Sequence, residues 1–279
     1  MLLRKQNAIC VLAILALLHV PQTWGQRNGF CSELATGYCN MYNLQFADAH
    51  RVFADWQRIH PQDPMGPVSD AAAYLFSEFD RLHILETEFF MNDKNFENQK
   101  PLTPDPDIKR KFDSQLDKTR LLINERLAHD AKDENAIFAN VLMLALRGDY
   151  IALIEKRNLP ALGYLKQARA AAEPLLKANP GFYDAYLAAG IENYLLSLRA
   201  APVRWMLQMG GAQTDKATGL KDLGITAAKG HYLQPYARLL LAIAALRDHD
   251  RNNARVLLQG LAQQFPNNRL YKQELAQIR

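Results

Sequence analysis

The chain has 279 residues, of which 49% are hydrophobic, and this composition excludes an intrinsically disordered protein. The 33 Lys and Arg against 29 Asp and Glu give a net charge of +4, without the clustered basic face that nucleic-acid binding requires. We therefore expect no nucleic-acid partner and enough chain for one sizeable core.

The first 25 residues have the order of a secretory signal sequence. Basic residues precede an apolar run at 9–20, and small residues at the −3 and −1 positions fit cleavage after Gly25. The run is shorter than the ~20 residues that a transmembrane helix needs. We therefore predict a signal peptide at 1–25 and a mature protein, 26–279, that is periplasmic or secreted and has no transmembrane span. The alternative is an uncleaved anchor.

Two cysteines, Cys31 and Cys39, remain after that cleavage. In an oxidising compartment such a pair can form a disulfide. If both lie in one helix, however, eight residues separate them by ~12 Å of rise, whereas a disulfide needs Cα atoms within about 7 Å. A disulfide therefore requires the chain before Ser32 to fold back, and the alternative is two buried thiols.

Apolar residues recur at helical spacing along almost the whole mature chain, and no convincing run alternates with period two, so the sequence predicts an all-α fold. The predicted helices, in chain order, cover 32–43, 46–59, 71–91, 108–128, 134–158, 160–178, 182–198, 216–229, 236–248, 252–265 and 267–279. Ser69 is the expected N-cap of the third helix and Asp107 that of the fourth. The helix at 267–279 has a polar outer face and is predicted to cap the array.

Two stretches of the mature chain are predicted to be loops. Residues 92–107 are polar and proline-rich. Residues 200–215 form an insertion, and insertions in repeat proteins lie on one face that often binds a partner. We therefore predict one helical domain, 26–279, interrupted by a polar loop at 92–107 and an inserted loop at 200–215.

One spacing recurs in the second helix of successive predicted hairpins. A small or apolar anchor is followed by an apolar residue four positions later and by proline twelve positions later. The copies are Ala49, Phe53 and Pro61; Ala168, Ala172 and Pro180; Ala254, Leu258 and Pro266; and, more loosely, Leu223, Ala227 and Pro235. The seventh position after the anchor holds Trp56, Leu175 or Leu261, and Gly230 in the loose copy. This A-x3-F…P pattern is typical of tetratricopeptide repeats, which are helix–turn–helix units of about 34 residues. We therefore predict a right-handed superhelix of tetratricopeptide-like hairpins, an α-α solenoid with degenerate repeats.

Four stretches of the chain resemble a family of secreted bacterial tetratricopeptide-repeat proteins. They are GDYIALIEKRNLPAL at 148–162, NPGFYDAYLAAGIENY at 179–194, PVRWMLQMGGAQTDKATGLKDL at 202–223 and QQFPNNRLYKQELA at 263–276. The resemblance covers roughly residue 34 to the C-terminus and is strongest from Gly148 onward. It implies a helical-repeat fold and export from the cytoplasm, and it implies no particular reaction.

The first helices of the hairpins are predicted to line a concave groove that binds a partner. The candidate groove residues are Tyr38, Met41, Tyr42, Asp184, Tyr194, Tyr236 and Arg247. Such a groove is aromatic with few charges, which suits an extended peptide or a partner helix. The alternative for the tyrosines is packing between repeats.

The inserted loop supplies further candidates. Arg204 and Trp205 are residue types that dominate interface hot spots, although Trp205 can also fill a gap between repeats. Asp215 and Lys216 close a glycine-containing segment that begins at Gly210 and precedes a helix. The segment can bind an anion at that helix N-terminus, but an N-cap by Thr214 or Asp215 explains the same residues more simply.

The sequence lacks the H-E-x-x-H and G-x-S-x-G motifs, and it predicts no catalytic residue, no cofactor and no metal site. It therefore favours a binding protein over an enzyme. The predicted function is an exported scaffold that binds a protein or peptide partner, with cell-envelope assembly as the candidate process. The alternatives are a hydrolase, or a protein that binds a lipid or another small ligand, built on the same helical scaffold.

Overall fold

The computed structural model describes residues 33–85, 100–199 and 207–278. These residues contain helices and turns and no β-strand, which confirms the predicted all-α fold. The helices are α1 (Glu33–Tyr42), α2 (Phe46–Ile59), α3 (Met65–Arg81), α4 (Pro106–His129), α5 (Glu134–Leu153), α6 (Asn158–Ala178), α7 (Tyr186–Ser197), α8 (Lys216–Lys229), α9 (Gln234–Arg247), α10 (Arg251–Gln264) and α11 (Arg269–Gln277). A 3-10 turn at Tyr183–Ala185 leads into α7.

Each helix packs against the helices that precede and follow it in the sequence. The hairpins are α1–α2, α3–α4, α5–α6, α7–α8 and α9–α10, and α11 packs on the last of them. By length and composition, α5 is the one described helix that could cross a membrane, but more than half of its apolar window is buried inside the protein. Its apolar character is therefore accounted for by the core that it forms with α4, α6 and α3.

The anchor positions of the recurring spacing form the buried face of the second helix in each hairpin. Complete burial is found at Ala49, Phe53, Ala168, Ala172, Leu223, Ala254 and Leu258. Helix α4 carries a fifth copy that the sequence pattern missed, with Thr119 and Ile123 buried at the anchor positions. Its proline position holds Ala131 and its anchor is a threonine, so the spacing survives without its usual residues.

The turns after four of the second helices share one hydrogen-bond pattern. The first residue after the helix donates its backbone N–H to the carbonyl four residues earlier, in the pairs His60 to Trp56, Asp130 to Arg126, Asn179 to Leu175 and Phe265 to Leu261. Three residues further on, a second N–H donates to that first residue, from Asp63, Asp133, Phe182 and Asn268. Ala131 occupies the proline position in one of these turns, so proline favours this geometry without being required for it.

The turns after several first helices end in a left-handed residue that is not glycine. Leu44, His83 and His249 have φ values of 60°, 59° and 61°. After α9, the His249 N–H donates to the Leu246 carbonyl and the next N–H donates to Ala245, which is the Schellman pattern. A side chain in this conformation costs about 1 kcal/mol relative to glycine.

We expect His249→Gly to raise the free energy of unfolding by about 0.5–1 kcal/mol, because it removes this backbone strain. Urea unfolding followed by circular dichroism measures the change. The matched control is Gln259→Gly on the exposed face of α10, where glycine is expected to cost about 1 kcal/mol. A destabilised His249→Gly variant would contradict the strain argument.

Several predicted helix ends differ from the structure for identifiable reasons. Helix α3 begins at Met65, whose N–H donates to Asp63 Oδ1, so Ser69 is a buried residue inside the helix rather than its N-cap. Asp105, not Asp107, caps α4, because its side chain accepts from the N–H groups of Asp107 and Ile108. Helix α5 ends at Leu153, and Lys156 then adopts a φ of 57°.

Only parts of the two predicted loops lie among the described residues. Residues 100–105 are non-helical, and α4 begins inside the predicted loop, at Pro106. In the predicted insertion, 207–209 form a helical turn. Helix α11 covers Arg269–Gln277 and buries Leu270, Tyr271 and Glu274. The predicted signal peptide lies outside the described residues.

The two ends of the helical array contact each other. The Tyr42 ring of α1 lies 5.5 Å from the Phe265 ring after α10, and its hydroxyl donates to the Tyr232 carbonyl over 3.0 Å. Asn268 Nδ2 donates to the Tyr42 carbonyl over 2.8 Å. Arg269 of α11 pairs with Asp80 of α3 at 2.7 Å. The first hairpins therefore complete part of the core of the last ones.

Candidate functional site

The structure places most of the predicted groove residues in the core. Exposure is 5% or less at Tyr38, Met41, Tyr42, Asp184 and Tyr194. Tyr236 and Arg247 are half-buried. The first five side chains therefore do not line an open groove, and their burial corrects the expectation that they form an accessible surface.

The tyrosines of α1 are covered by the protein's own aromatic residues. Tyr38 packs with its ring centroid 5.5 Å from that of Phe53 and 4.9 Å from that of Tyr232, and its hydroxyl accepts a hydrogen bond from Ser69 Oγ over 2.9 Å. Burial raises the pKa of both Tyr38 and Tyr42 well above the usual value. These rings therefore belong to the packing between repeats, the alternative that the sequence left open.

Asp184 positions the turn between α8 and α9. Its carboxylate accepts backbone N–H bonds from His231, Tyr232 and Leu233 over 2.9–3.1 Å. A Cβ atom on Gly230 would lie 2.7 Å from Asp184 Oδ1. This close approach explains why the fourth copy of the spacing has glycine where the other copies have Trp or Leu.

Tyr194 lies inside α7, 4% exposed, so Tyr194→Ala would remove a core side chain. A loss of partner binding in that variant would therefore not identify a binding residue. The neighbouring Leu195 is 44% exposed and is a cleaner position for testing this part of α7.

The described loop candidates act as a helix cap and a surface ion pair. Asp215 is the N-cap of α8, where its carboxylate accepts from the Ala217 N–H, and its hydrogen bonds to Thr218 and Ala217 lower its pKa. The predicted N-cap at this position is therefore confirmed. Lys216 pairs with Asp248 at 2.5 Å on the exposed surface. The other two candidates, Arg204 and Trp205, lie outside the described residues.

Buried charges that the sequence did not single out anchor the segment before α8. Glu192 is fully buried, lies 2.5 Å from Arg169 Nε and accepts from the Gln213 N–H over 3.2 Å. Asn193 Oδ1 accepts from the Asp215 N–H over 3.1 Å. The sequence did contain a signal for this buried cluster, namely two adjacent polar residues, Glu192 and Asn193, in the otherwise apolar helix α7. Their partners show that they hold α6, α7 and this segment together.

A histidine–aspartate pair joins α2 to α3. His50 Nδ1 and the buried Asp70 Oδ1 are 2.5 Å apart, and the His50 ring lies 3.9 Å from the Tyr74 ring. A carboxylate that orients an imidazole is one part of a hydrolase triad. No described Ser, Thr or Cys side chain is hydrogen-bonded to this imidazole, so the pair brings no nucleophile with it.

Within residues 33–85, 100–199 and 207–278, no group of three or more His, Cys, Asp or Glu side chains is placed to hold a metal ion. Cys39 is exposed on α1, so the alternative that both thiols are buried is wrong for this residue. The other cysteine of the possible disulfide, Cys31, lies outside the described residues.

An apolar cleft lies between α3, α5 and α9. Its lining includes Phe76, Phe79, Leu153, Tyr236, Leu239 and Leu240. The cleft is narrow and partly open to solvent. We call it the α3–α5–α9 cleft, and Tyr236 is the one predicted groove residue that lines it.

Asp149 of α5, four residues before the cleft residue Leu153, has an unusual environment for a carboxylate. It is half-buried, and burial raises its pKa from 3.8 to about 7. Desolvation is the one cause of this shift, and no hydrogen bond or ion pair from another described residue offsets it. No local pattern in the sequence signals this environment, because it depends on which helices pack against α5.

We expect Asp149→Asn to be more stable than the wild type at pH 8 by about 1–3 kcal/mol, a value reduced for the partial exposure of the carboxylate. A raised pKa in the folded state means that the wild type loses stability as pH rises from about 4 to about 7, whereas Asn does not ionise. Urea unfolding at pH 4 and pH 8 measures both proteins.

The control for this pH dependence is Asp117→Asn, which replaces an exposed carboxylate of α4. That substitution should leave the difference in stability between pH 4 and pH 8 almost unchanged. If Asp149→Asn shows no greater gain at pH 8 than at pH 4, the carboxylate is not desolvated.

Comparison with protein-family models, with curated proteins and with solved structures found no match. The resemblance to secreted bacterial tetratricopeptide-repeat proteins therefore stays a prediction, and the function is inferred from the residues and the packing described above.

Proposed function

We propose that this protein is an exported scaffold of tetratricopeptide-like hairpins, arranged as a right-handed superhelix, that binds a protein or peptide partner. The observation that carries the proposal is the repetition of one hairpin design. The same anchor positions are buried in α2, α4, α6, α8 and α10, and four of the following turns share their hydrogen bonds. Arrays of such hairpins usually act by presenting an extended binding surface.

The proposed binding surface is the accessible side of α9 together with the α3–α5–α9 cleft. Leu239 and Leu240 are only partly buried there, and Arg247 ends the same helix. A preformed apolar surface with few charges suits a peptide or helix whose affinity comes from a few anchor residues.

The test is affinity capture of the mature chain, 26–279, from crosslinked envelope extract, with mass spectrometry of the captured proteins. A single dominant partner that is retained by Val256→Glu on α10 and lost by Arg247→Glu on α9 would support the proposal. Val256 is 67% exposed on a second helix, so it controls for added charge. Thermal melts establish that both variants fold, and the absence of any partner would contradict a scaffold function.

The proposal that the protein is exported leads to a separate prediction about its N-terminus. We expect the protein isolated from the periplasm or the medium to begin at Gln26, because cleavage after Gly25 places small residues at the −3 and −1 positions. N-terminal sequencing or intact-mass measurement tests this. A mature protein that retains residues 1–25 would favour the anchor.

A further inference from the structure

The first hairpin, α1–α2, packs against parts of the chain that are far from it in sequence. The Tyr38 ring lies 4.9 Å from the Tyr232 ring, in the turn after α8. The Tyr42 ring lies 5.5 Å from the Phe265 ring, and the Tyr42 carbonyl accepts a hydrogen bond from Asn268 Nδ2 over 2.8 Å, both in the turn after α10. The turns after α8 and α10 therefore form a surface that receives α1.

This receiving surface fits one particular structure. Helix α1 buries Leu34, Tyr38, Met41 and Tyr42, each of which is at most 5% exposed. Without α1, Phe265 would lose the ring that covers it, and soluble proteins rarely expose such apolar surface. A second copy of this chain carries the same α1–α2 hairpin and is therefore complementary to the same surface.

The turn at 60–64 is the one connection between this hairpin and the other described helices. It is also the one turn after a second helix that contains two prolines, Pro61 and Pro64. Proline disfavours helical backbone at the residue before it, here His60 and Asp63, and favours an extended one. The turn therefore opens into an extended linker at low cost, and five extended residues span about 15 Å.

We propose that two copies of this chain form a dimer by exchanging their α1–α2 hairpins, so that α1 of each chain packs on the turns after α8 and α10 of the other. The hairpin re-forms all its contacts with the second chain, so the cost of exchange is confined to the turn at 60–64. Because α1 is part of the core, exchange takes place during folding and the two forms interconvert slowly. This inference is independent of the proposed protein or peptide partner.

The first test is refolding of the mature chain from urea at low and at high protein concentration, followed by size-exclusion chromatography with light scattering. We expect the dimer fraction to rise with the concentration during refolding, and the isolated dimer to persist after dilution. A chain that is monomeric after refolding at every concentration would overturn the proposal.

A disulfide distinguishes exchange from simple association. The Asn267 N–H donates to Asn43 Oδ1 over 3.2 Å, so Asn43→Cys and Asn267→Cys place two thiols side by side, with Cys31→Ser and Cys39→Ser removing the native thiols. After oxidation, the monomer should contain the disulfide within one chain, and the dimer should remain covalently linked on a denaturing gel without reductant. A dimer that separates into internally bridged chains would overturn the exchange, and a monomer without the disulfide would overturn the end-to-end contact.

The double substitution Pro61→Ala and Pro64→Ala tests the hinge. It should lower the association constant of the dimer at least about tenfold, because each dimer contains two opened turns and every proline favours the opened form. Ala131 occupies the position of Pro61 in the turn after α4, so alanine is compatible with this geometry. The matched control is Pro180→Ala in the turn after α6, which should leave the dimer fraction unchanged. Equal dimer fractions in both variants would overturn the assignment of the hinge, and thermal melts establish that both fold.

Discussion

Asp184→Ala is expected to lower the free energy of unfolding by about 3–5 kcal/mol. The substitution removes a buried carboxylate that accepts backbone hydrogen bonds from three consecutive residues, His231, Tyr232 and Leu233. Hydrogen bonds to a charged group contribute about 1.5–3 kcal/mol each, and the abandoned N–H groups regain only part of this from water. Urea unfolding followed by circular dichroism gives the value.

The control for Asp184→Ala is Asp248→Ala. Asp248 is exposed and pairs with Lys216 on the surface, so its removal should cost less than about 1 kcal/mol. The stability loss in Asp184→Asn should lie between the losses in Asp184→Ala and Asp248→Ala, because the amide keeps one acceptor oxygen but loses the charge. If both alanine variants unfold at similar urea concentrations, the turn between α8 and α9 does not depend on the carboxylate.

Gly219→Ala is expected to cost about 3 kcal/mol or more. A Cβ atom at Gly219 would lie 2.5 Å from the Tyr194 backbone nitrogen and 3.0 Å from the Gly190 carbonyl oxygen, so α7 and α8 would have to separate. Overpacking against a side chain can be relieved when that side chain rotates, but the atoms that a Cβ at Gly219 would meet belong to the backbone of α7. The loss in free energy of unfolding should appear as a lower urea midpoint with an unchanged m-value.

The same helix supplies the control. A Cβ atom at Gly224 of α8 would have no heavy atom of another part of the chain within 4 Å, so alanine fits there. Gly224→Ala should therefore stabilise the protein by about 0.5–1 kcal/mol through its higher helix propensity. Destabilisation by both substitutions would mean that glycine is needed along the whole helix rather than at its contact with α7.

The sequence predicted the second helices well because their local pattern reports burial directly. Each anchor recurs at a spacing that keeps it on one helix face, and that face is the one that packs. The start of α3 was less predictable. Met65-Gly66-Pro67 resembles a break in sequence, but proline is compatible with the first turn of a helix, where its missing N–H is not needed.

The candidate site was less predictable because its burial is decided by distant parts of the chain. The sequence predicted Tyr42 to line an accessible groove, but its hydroxyl donates to the Tyr232 carbonyl, which is 190 residues away in the chain. The desolvation of Asp149 depends in the same way on the packing of other helices against α5, which the fold alone decides. Neither relation leaves a local signal in the sequence.

The contact between the first and last hairpins changes how the protein is expected to unfold. In a linear stack each unit touches only its neighbours, so the terminal units can fray independently of the rest. Here Tyr42 and Asn268 join the two ends, and opening one end exposes the core of the other. The described helices should therefore unfold together as one cooperative unit, and folding has to close a long loop, which slows it relative to an open array of the same length.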